Sequence, residues 1–281
     1  MFTMLLPAPC KINLTLDLVC TLPDGYHAID TVMQTVSLCD FVTVEKNDTP
    51  GIVLTCSDPT VPTDAKNTAY RAAELFLRHA NIADGIKIYI DKHIPHEAGL
   101  GGGSADAAAV FKALDSMYPG VLSNAEILSL CLKVGADVPF CFVGGTALCQ
   151  NKGEVIAPLT PFSSYVVIAK PDEGVSTAAA FRRFDSAENL SHPDITSFVF
   201  YAQRGEYQNA FLSASNIFEQ LTDVKAGSAI KDMLIKNGAY YASMSGSGSA
   251  YFGLFDTPEQ AENAKNEIKT LVPFVEIAKC E

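Results

Sequence analysis

Four glycines, Gly99 and Gly101 to Gly103, crowd into five residues between a strand-like run and a run of alanines. Before them Ile86, Ile88 and Ile90 recur at every second position, the period of a strand; after them Ser104 to Phe111 reads as an alanine-rich helix. Strand, glycines and helix in that order can hold phosphate. Glycines let the backbone approach a ligand and adopt positive φ, and the free amides and dipole of a first helical turn favour an anion. Ser104 adds a hydroxyl for phosphate or metal. Two commoner motifs do not fit: a P-loop ends in Gly-Lys-Ser/Thr, and a dinucleotide fingerprint needs a third glycine where Ser104 stands. The plain structural alternative is a turn that packs helix closely on strand.

Charge narrows the partners. The 281 residues carry 32 acidic against 20 basic side chains, a formal net charge of −12, which repels nucleic acid and anionic lipid. A phosphorylated substrate stays open, because a few lysines and oriented amides make a locally positive cleft. The eight cysteines form no Cys-x-x-Cys pair and several sit among apolar neighbours, as in Pro139-Phe140-Cys141-Phe142, so they read as free thiols of a reducing cytoplasm. Met1 to Leu6 is too short for a signal-peptide core, and no uncharged apolar run spans a bilayer. The expectation is a cytoplasmic protein with neither nucleic-acid nor membrane partner.

The rest of the chain mixes strands and helices, an α+β pattern. Ile12, Leu14, Leu16 and Leu18 alternate with Lys11, Asn13, Thr15 and Asp17, which puts Lys11 and Asn13 on one polar strand face, by the plain reading a solvated one. Pro23-Asp24-Gly25 marks a turn, and Val42 to Glu45 and Ile52 to Thr55 read as strands. Asn67 caps a helix over Thr68 to Arg78, and Ser123 with Glu126 opens another that ends near Gly135. Pro158, Pro161, Ser163 and Ser164 mark a connector before a strand at Tyr165 to Ala169. Phe211, Ile217, Phe218 and Leu221 suggest one helix, and Ile230, Met233 and Leu234 another that stops at Gly238. Strands at Tyr240 to Ser243 and Ala250 to Phe255 precede a helix capped by Thr257, with Pro258 at its first position and Gln260 completing the box.

Three separated segments resemble the motifs of the GHMP kinase superfamily, which includes galactokinase, homoserine kinase and mevalonate kinase. They are Pro9-Cys10-Lys11-Ile12-Asn13-Leu14, Pro95 to Ala108, and Met244-Ser245-Gly246-Ser247-Gly248. Asp24 to Gln34, with its Gly-Tyr-His, and Gly135-Ala136-Asp137-Val138-Pro139-Phe140 narrow the resemblance to a branch acting on a diphosphocytidyl-methylerythritol in the non-mevalonate isoprenoid route. The resemblance implies two domains. One, over 1–160, is of the ribosomal S5 domain 2-like type with a left-handed βαβ unit, and the other, over 161–281, is ferredoxin-like. It implies ATP as co-substrate with Mg²⁺, and a monomer or weak homodimer.

The same resemblance assigns roles. Asp137 is the candidate base and Lys11 its partner, although Asp137 also suits a helix cap. Asn13 binds the acceptor or orients Lys11; Tyr26 stacks on cytosine and His27 hydrogen-bonds it; Thr177 and Phe181 close the far side of that pocket. Pro95, Gly99, Leu100, Gly101, Gly102, Gly103, Ser104 and Ala105 hold the ATP phosphates, with Lys92 and Asn67 as further ATP contacts. A surface lysine and an ordinary cap are the structural alternatives for those two. Ser104 is a possible Mg²⁺ ligand, and no residue spacing marks a dedicated metal site. Three positions depart from the pattern: Ala105 replaces a serine, Cys10 an alanine and Asn151 a glycine. The rivals are a kinase for homoserine or mevalonate, which Tyr26-His27 opposes, and a silent nucleotide-binding protein, which would have lost Lys11 or Asp137.

Overall fold

The computed structural model describes residues 3–23 and 25–281. In chain order the elements begin with β1 (Thr3–Thr21), β2 (His27–Asn47), β3 (Gly51–Cys56), α1 (Thr68–His79), β4 (Gly85–Asp91), α2 (Gly102–Met117), α3 (Asn124–Val134) and α4 (Val138–Val143). They continue with β5 (Thr146–Asn151), β6 (Val155–Pro158), β7 (Tyr165–Lys170), α5 (Thr177–Phe184), α6 (Ile195–Ala202) and α7 (Tyr207–Ala210). The chain closes with α8 (Gly227–Lys236), β8 (Tyr241–Met244), β9 (Tyr251–Phe255), α9 (Pro258–Ile268) and β10 (Phe274–Lys279). The described residues fall into two compact units that interleave in sequence.

The first unit holds residues 3–10, 39–94 and 101–143. Here β3 and β4 run parallel, Gly51 opposite Gly85 through Cys56 opposite Ile90, with α1 as the crossover between them. The Phe41 to Asn47 part of β2 pairs antiparallel with β4. Ile86, Ile88 and Ile90 are all buried, as their alternation requires. Helix α1 starts where Asn67 Oδ1 accepts the Ala69 N–H at 2.8 Å, and it buries Ala69, Ala72, Ala73, Phe76 and Leu77. Helix α3 carries the full Ser123–Glu126 capping box. Alanines on α2 let α1 and α4 approach it closely.

The second unit holds residues 11–23, 25–38, 95–100 and 144–281. Its β5 pairs antiparallel with the Ile29 to Gln34 part of β2, and β6 with β5. A second sheet has the order β10-β7-β9-β8, antiparallel throughout. Numbered within that sheet the order is fourth, first, third, second, with α8 and α9 after the first and third strands, which is the ferredoxin-like βαββαβ arrangement. Ile230 and Leu234 of α8 and Ala261, Ala264 and Ile268 of α9 bury against Val167, Ala169 and Phe255.

Three expectations change. The polar face of β1 is not solvated: Lys11, Asn13 and Thr15 are 3%, 1% and 0% exposed. Hydrogen bonds inside the second unit make that burial tolerable. Phe211 to Leu221 is not one helix but two 3-10 turns, Phe211–Ser213 and Ile217–Gln220. The break has a cause at Ser215 and Asn216. Ser215 O accepts the Leu16 N–H at 2.9 Å and the Thr15 hydroxyl at 3.0 Å, which holds the segment extended beside β1. Pro158 closes β6, so the connector begins only after it. The expected turn at Pro23 is bounded by Gly25 N–H to Leu22 O and Leu22 N–H to Tyr26 O, while Asp24 lies outside the described residues, as do Met1 and Phe2.

Candidate active site

In the first unit α2 opens on Gly101 with φ +70°, a left-handed conformation that favours glycine, and no side chain caps it. The first-turn amides of Gly102, Gly103 and Ser104 are therefore the unpaired donors of a bare helix end. The neighbouring backbone is close: a Cβ on Gly102 would meet Ile94 Cγ2 at 3.0 Å, and one on Gly103 would meet Thr68 Oγ1 at 3.1 Å. Thr68 donates to Gly103 O at 2.6 Å, tying the start of α1 to the start of α2. A Cβ on Gly135 would lie 4.0 Å from Ser104 Oγ, so the turn leading into Asp137 runs beside the same helix end. Asp137 is half-buried ahead of α4, and its carbonyl accepts the Cys141 N–H at 3.0 Å.

Lys92 is not a surface lysine. Its side chain is 6% exposed and its ammonium donates to Asp40 Oδ2 and, at 2.9 Å, to Asp106 Oδ2 on α2. Asp40 Oδ1 accepts the His93 and Ile94 amides at 2.6 and 2.8 Å. Burial works against the Lys92 charge, but Asp106 and Asp40 outweigh it and hold its pKa above the ordinary value. Burial, opposed by Lys92 and reinforced by Asp40, pushes the Asp106 carboxyl up to about 7. Asp106 Oδ1 is buried with no hydrogen-bond partner among the described residues. The Asn67 amide is used on both sides, by Ala69 N–H and by Pro62 O, and shapes the turn before α1.

In the second unit three motifs that are far apart in sequence meet. Lys11 N–H donates to Leu100 O at 3.0 Å, and Lys11 Nζ donates to Asn13 Oδ1 at 2.8 Å. The same Asn13 oxygen accepts the Gly246 N–H at 2.9 Å, while Asn13 Nδ2 donates to Thr31 Oγ1 at 2.9 Å. Both ends of the amide are engaged, its oxygen by Lys11 and Gly246 and its nitrogen by Thr31. Ser245 Oγ donates to Gly99 O at 2.9 Å, Ala250 N–H donates to Ala98 O at 3.0 Å, and Asn216 Nδ2 holds the Met244 and Gly246 carbonyls at 2.7 and 2.8 Å. Gly99 has φ +72°, and a Cβ there would stand 2.0 Å from Ser245 O. We expect Gly99→Ala to destabilise the protein by roughly 1–3 kcal/mol through left-handed strain and that collision. An unchanged urea midpoint would contradict this packing.

Of the residues expected around cytosine, all in the second unit, His27 and Phe181 come together. His27 Nε2 lies 2.8 Å from Asp185 Oδ1, and the His27 ring is 4.8 Å from Phe181 and 5.7 Å from Phe184. Tyr26 is 62% exposed, with Lys152 Nζ 4.6 Å from its ring centre. Thr177 and Ser247 share a hydroxyl hydrogen bond of 2.8 Å. Pro95 is half-buried at the head of the glycine segment, and Leu100 and Ala105 are buried. Asn151, where the superfamily pattern has glycine, takes φ +62°. Asparagine tolerates that conformation better than most residues. Among the described residues no cluster of three or more His, Cys, Asp or Glu could hold a metal, and no helix is long and apolar enough to cross a membrane.

Known proteins resemble this chain in sequence and fold. Residues 67–145 match the GHMP kinases N terminal domain and residues 228–273 the GHMP kinases C terminal domain. The 4-diphosphocytidyl-2-C-methyl-D-erythritol kinase of Clostridium tetani is 39% identical over 280 residues, covering 98% of this chain and 99% of that one. The chain belongs to the 4-diphosphocytidyl-2-C-methyl-D-erythritol kinase family. The member from Caldicellulosiruptor saccharolyticus is 39% identical over 96% of this chain and 94% of its own. A crystal structure of a 4-(cytidine 5'-diphospho)-2C-methyl-D-erythritol kinase superposes with TM-score 0.80 at 31% identity, covering 99% of both chains. Homoserine kinase from Cytophaga hutchinsonii superposes with TM-score 0.76 at 19% identity, covering 99% of this chain and 94% of that one, a likeness of fold.

Set beside this kinase family's motifs, the structure adds residues that the sequence reading passed over. Asp40 and Asp106 hold Lys92, Thr68 ties down Gly103, Asn216 braces the glycine-rich 244–248 segment, and Asp185 holds His27. Asp106 carried a signal, an acid set among alanines on the buried side of a helix. Asp40, Asn216 and Asp185 carried none, because each partner is remote in sequence.

Proposed function

We propose that this chain transfers the γ-phosphoryl group of ATP to the 2-hydroxyl of 4-diphosphocytidyl-2-C-methyl-D-erythritol, supplying isoprenoid precursors by the non-mevalonate route. The observation that carries the reading is the meeting of three motifs on one buried lysine: Lys11 beside Asn13, Leu100 and Gly246. Full-length relatives bearing that kinase name support the choice of acceptor.

In this reading the α2 amides, with Ser104, take the nucleotide phosphates, and Gly99 to Ala105 form the loop around them. The Asp137 carboxylate accepts the proton of the acceptor hydroxyl as its oxygen bonds to the γ-phosphorus. The bond to the β–γ bridging oxygen breaks, and ADP leaves. Lys11, held by Asn13, offsets charge on the transferred group. Mg²⁺ bound with ATP would neutralise the phosphates, and Ser104, at the bare helix end, is the hydroxyl that would hold it. Tyr26 stacks on cytosine and His27 hydrogen-bonds it, with Phe181 and Thr177 across the pocket, and Lys92 and Asn67 belong to the ATP side. The division into domains at 1–160 and 161–281 is part of the same reading.

The deciding experiment follows ADP release from MgATP with the cytidylyl acceptor, homoserine and mevalonate in turn. Release with the cytidylyl acceptor alone supports the reading. Release with homoserine or mevalonate alone moves the acceptor to another branch, and no release with any of them favours a silent nucleotide-binding protein. Tyr26→Ala is expected to raise KM for the acceptor by about 5- to 150-fold, the range of a lost base–aromatic stack, with KM for ATP nearly unchanged. Equal shifts in both would remove Tyr26 from the cytosine pocket.

A further inference from the structure

Histidine can read a base in two opposite ways, depending on which ring nitrogen carries hydrogen. The structure assigns that choice to Asp185: it holds His27 in the Nε2–H form, so that Nδ1 accepts from a 4-amino group and the acceptor's cytosine is told apart from uracil. The assignment deepens the proposed function and rests on its placing of cytosine at His27. It makes Asp185 a positioning residue.

The argument begins with Asp185 Oδ1, 2.8 Å from His27 Nε2. A carboxylate only accepts, so the hydrogen between them belongs to Nε2. Asp185 is fixed independently of the histidine: Thr21 Oγ1, at the end of β1, donates to the same oxygen at 3.0 Å, and Asp185 itself caps the end of α5. The hydrogen bonds from His27 and then Thr21 hold its carboxyl below the ordinary carboxylate range, so it stays an acceptor at neutral pH. The ring has little freedom to turn away. The His27 side chain is 8% exposed, with Phe181 tilted 32° against it and Phe184 edge-on at 77°.

With Nε2–H fixed, the neutral ring presents a lone pair at Nδ1. Cytosine offers a hydrogen there from its 4-amino group. Uracil in the same pose offers the O4 lone pair, so a hydrogen bond becomes a repulsion and a desolvated acceptor is left unpaired. One edge contact of this kind discriminates by roughly 10- to 100-fold.

The test joins a spectroscopic readout to a specificity readout on the full chain at about pH 8, where an ordinary imidazole is neutral. Imidazole ¹⁵N shifts of His27 are expected to report Nε2–H in the wild type and a mixture of tautomers in Asp185→Asn, whose amide can donate or accept. Titration with CMP and UMP is expected to show a wild-type preference for CMP that falls to within about 3-fold in Asp185→Asn and is retained in Asp185→Glu. In turnover, Asp185→Asn is expected to raise KM for the cytidylyl acceptor with little change in kcat. A wild-type Nδ1–H tautomer, or an undiminished CMP preference in Asp185→Asn, overturns the assignment. Absence of any CMP preference in the wild type overturns it too. If CMP preference and its loss appear as expected but no ADP is released with the cytidylyl acceptor, the assignment stands and the proposed phosphoryl transfer falls.

Discussion

Asp137→Asn is expected to lower kcat for ADP release by about 10²–10⁴, with acceptor KM changed far less. Asparagine keeps the size of the side chain but cannot take the hydroxyl proton, so the loss falls on the chemical step. The bond that starts α4 is made by the Asp137 backbone carbonyl to Cys141 N–H, which asparagine keeps. Thermal stability measured beside kcat separates loss of a base from loss of a helix start. A kcat within about 3-fold of wild type would remove Asp137 as the base. It would leave proximity and charge stabilisation by the loop and Lys11 as the source of rate, as positioning-dominated phosphoryl transfer allows.

Local patterns carried much of this molecule into the sequence reading. The isoleucines of β4, the Asn67 cap, the capping boxes at Ser123 and Thr257 and the glycines before α2 are each decided by neighbours within four residues. What failed to show is what depends on a distant partner. The strand alternation placed Lys11 and Asn13 on one face correctly, yet whether that face meets water is settled by Thr31 and Gly246, far along the chain. The apolar spacing of Phe211 to Leu221 mimics a helix, and Ser215, hydrogen-bonded to Thr15 and Leu16, overrides it. Lys92 invited a choice between nucleotide contact and solvent. The two carboxylates that hold it, 52 residues before it and 14 after it, have no local signature.

That buried triad gives the largest stability effect expected here. Lys92→Met keeps the length and apolar stem of the side chain but leaves Asp40 and Asp106 buried without their cation, a loss of roughly 3–5 kcal/mol by analogy with other broken buried pairs. The deficit should depend on pH in a definite sense. The Asp106 carboxyl, ordinarily near 3.8, is raised to about 7 in the folded state, so the folded protein binds a proton there that the unfolded chain releases. That contribution is fully present below 3.8 and is lost as pH rises through about 7. Removing Lys92 takes away the interaction that lowers the Asp106 pKa, so that carboxyl holds its proton to still higher pH and its ionisation costs more. Urea midpoints of wild type and variant at about pH 5.5 and about pH 8.5 should thus differ modestly at the lower pH and widely at the higher. A gap that is the same at both, or wider at the acidic end, would mean that Lys92 does not act by balancing these two carboxylates. The bare end of α2, where Asp106 sits one turn behind the loop glycines, would then owe its position to the packing of Ile94 and Thr68 against Gly102 and Gly103 instead.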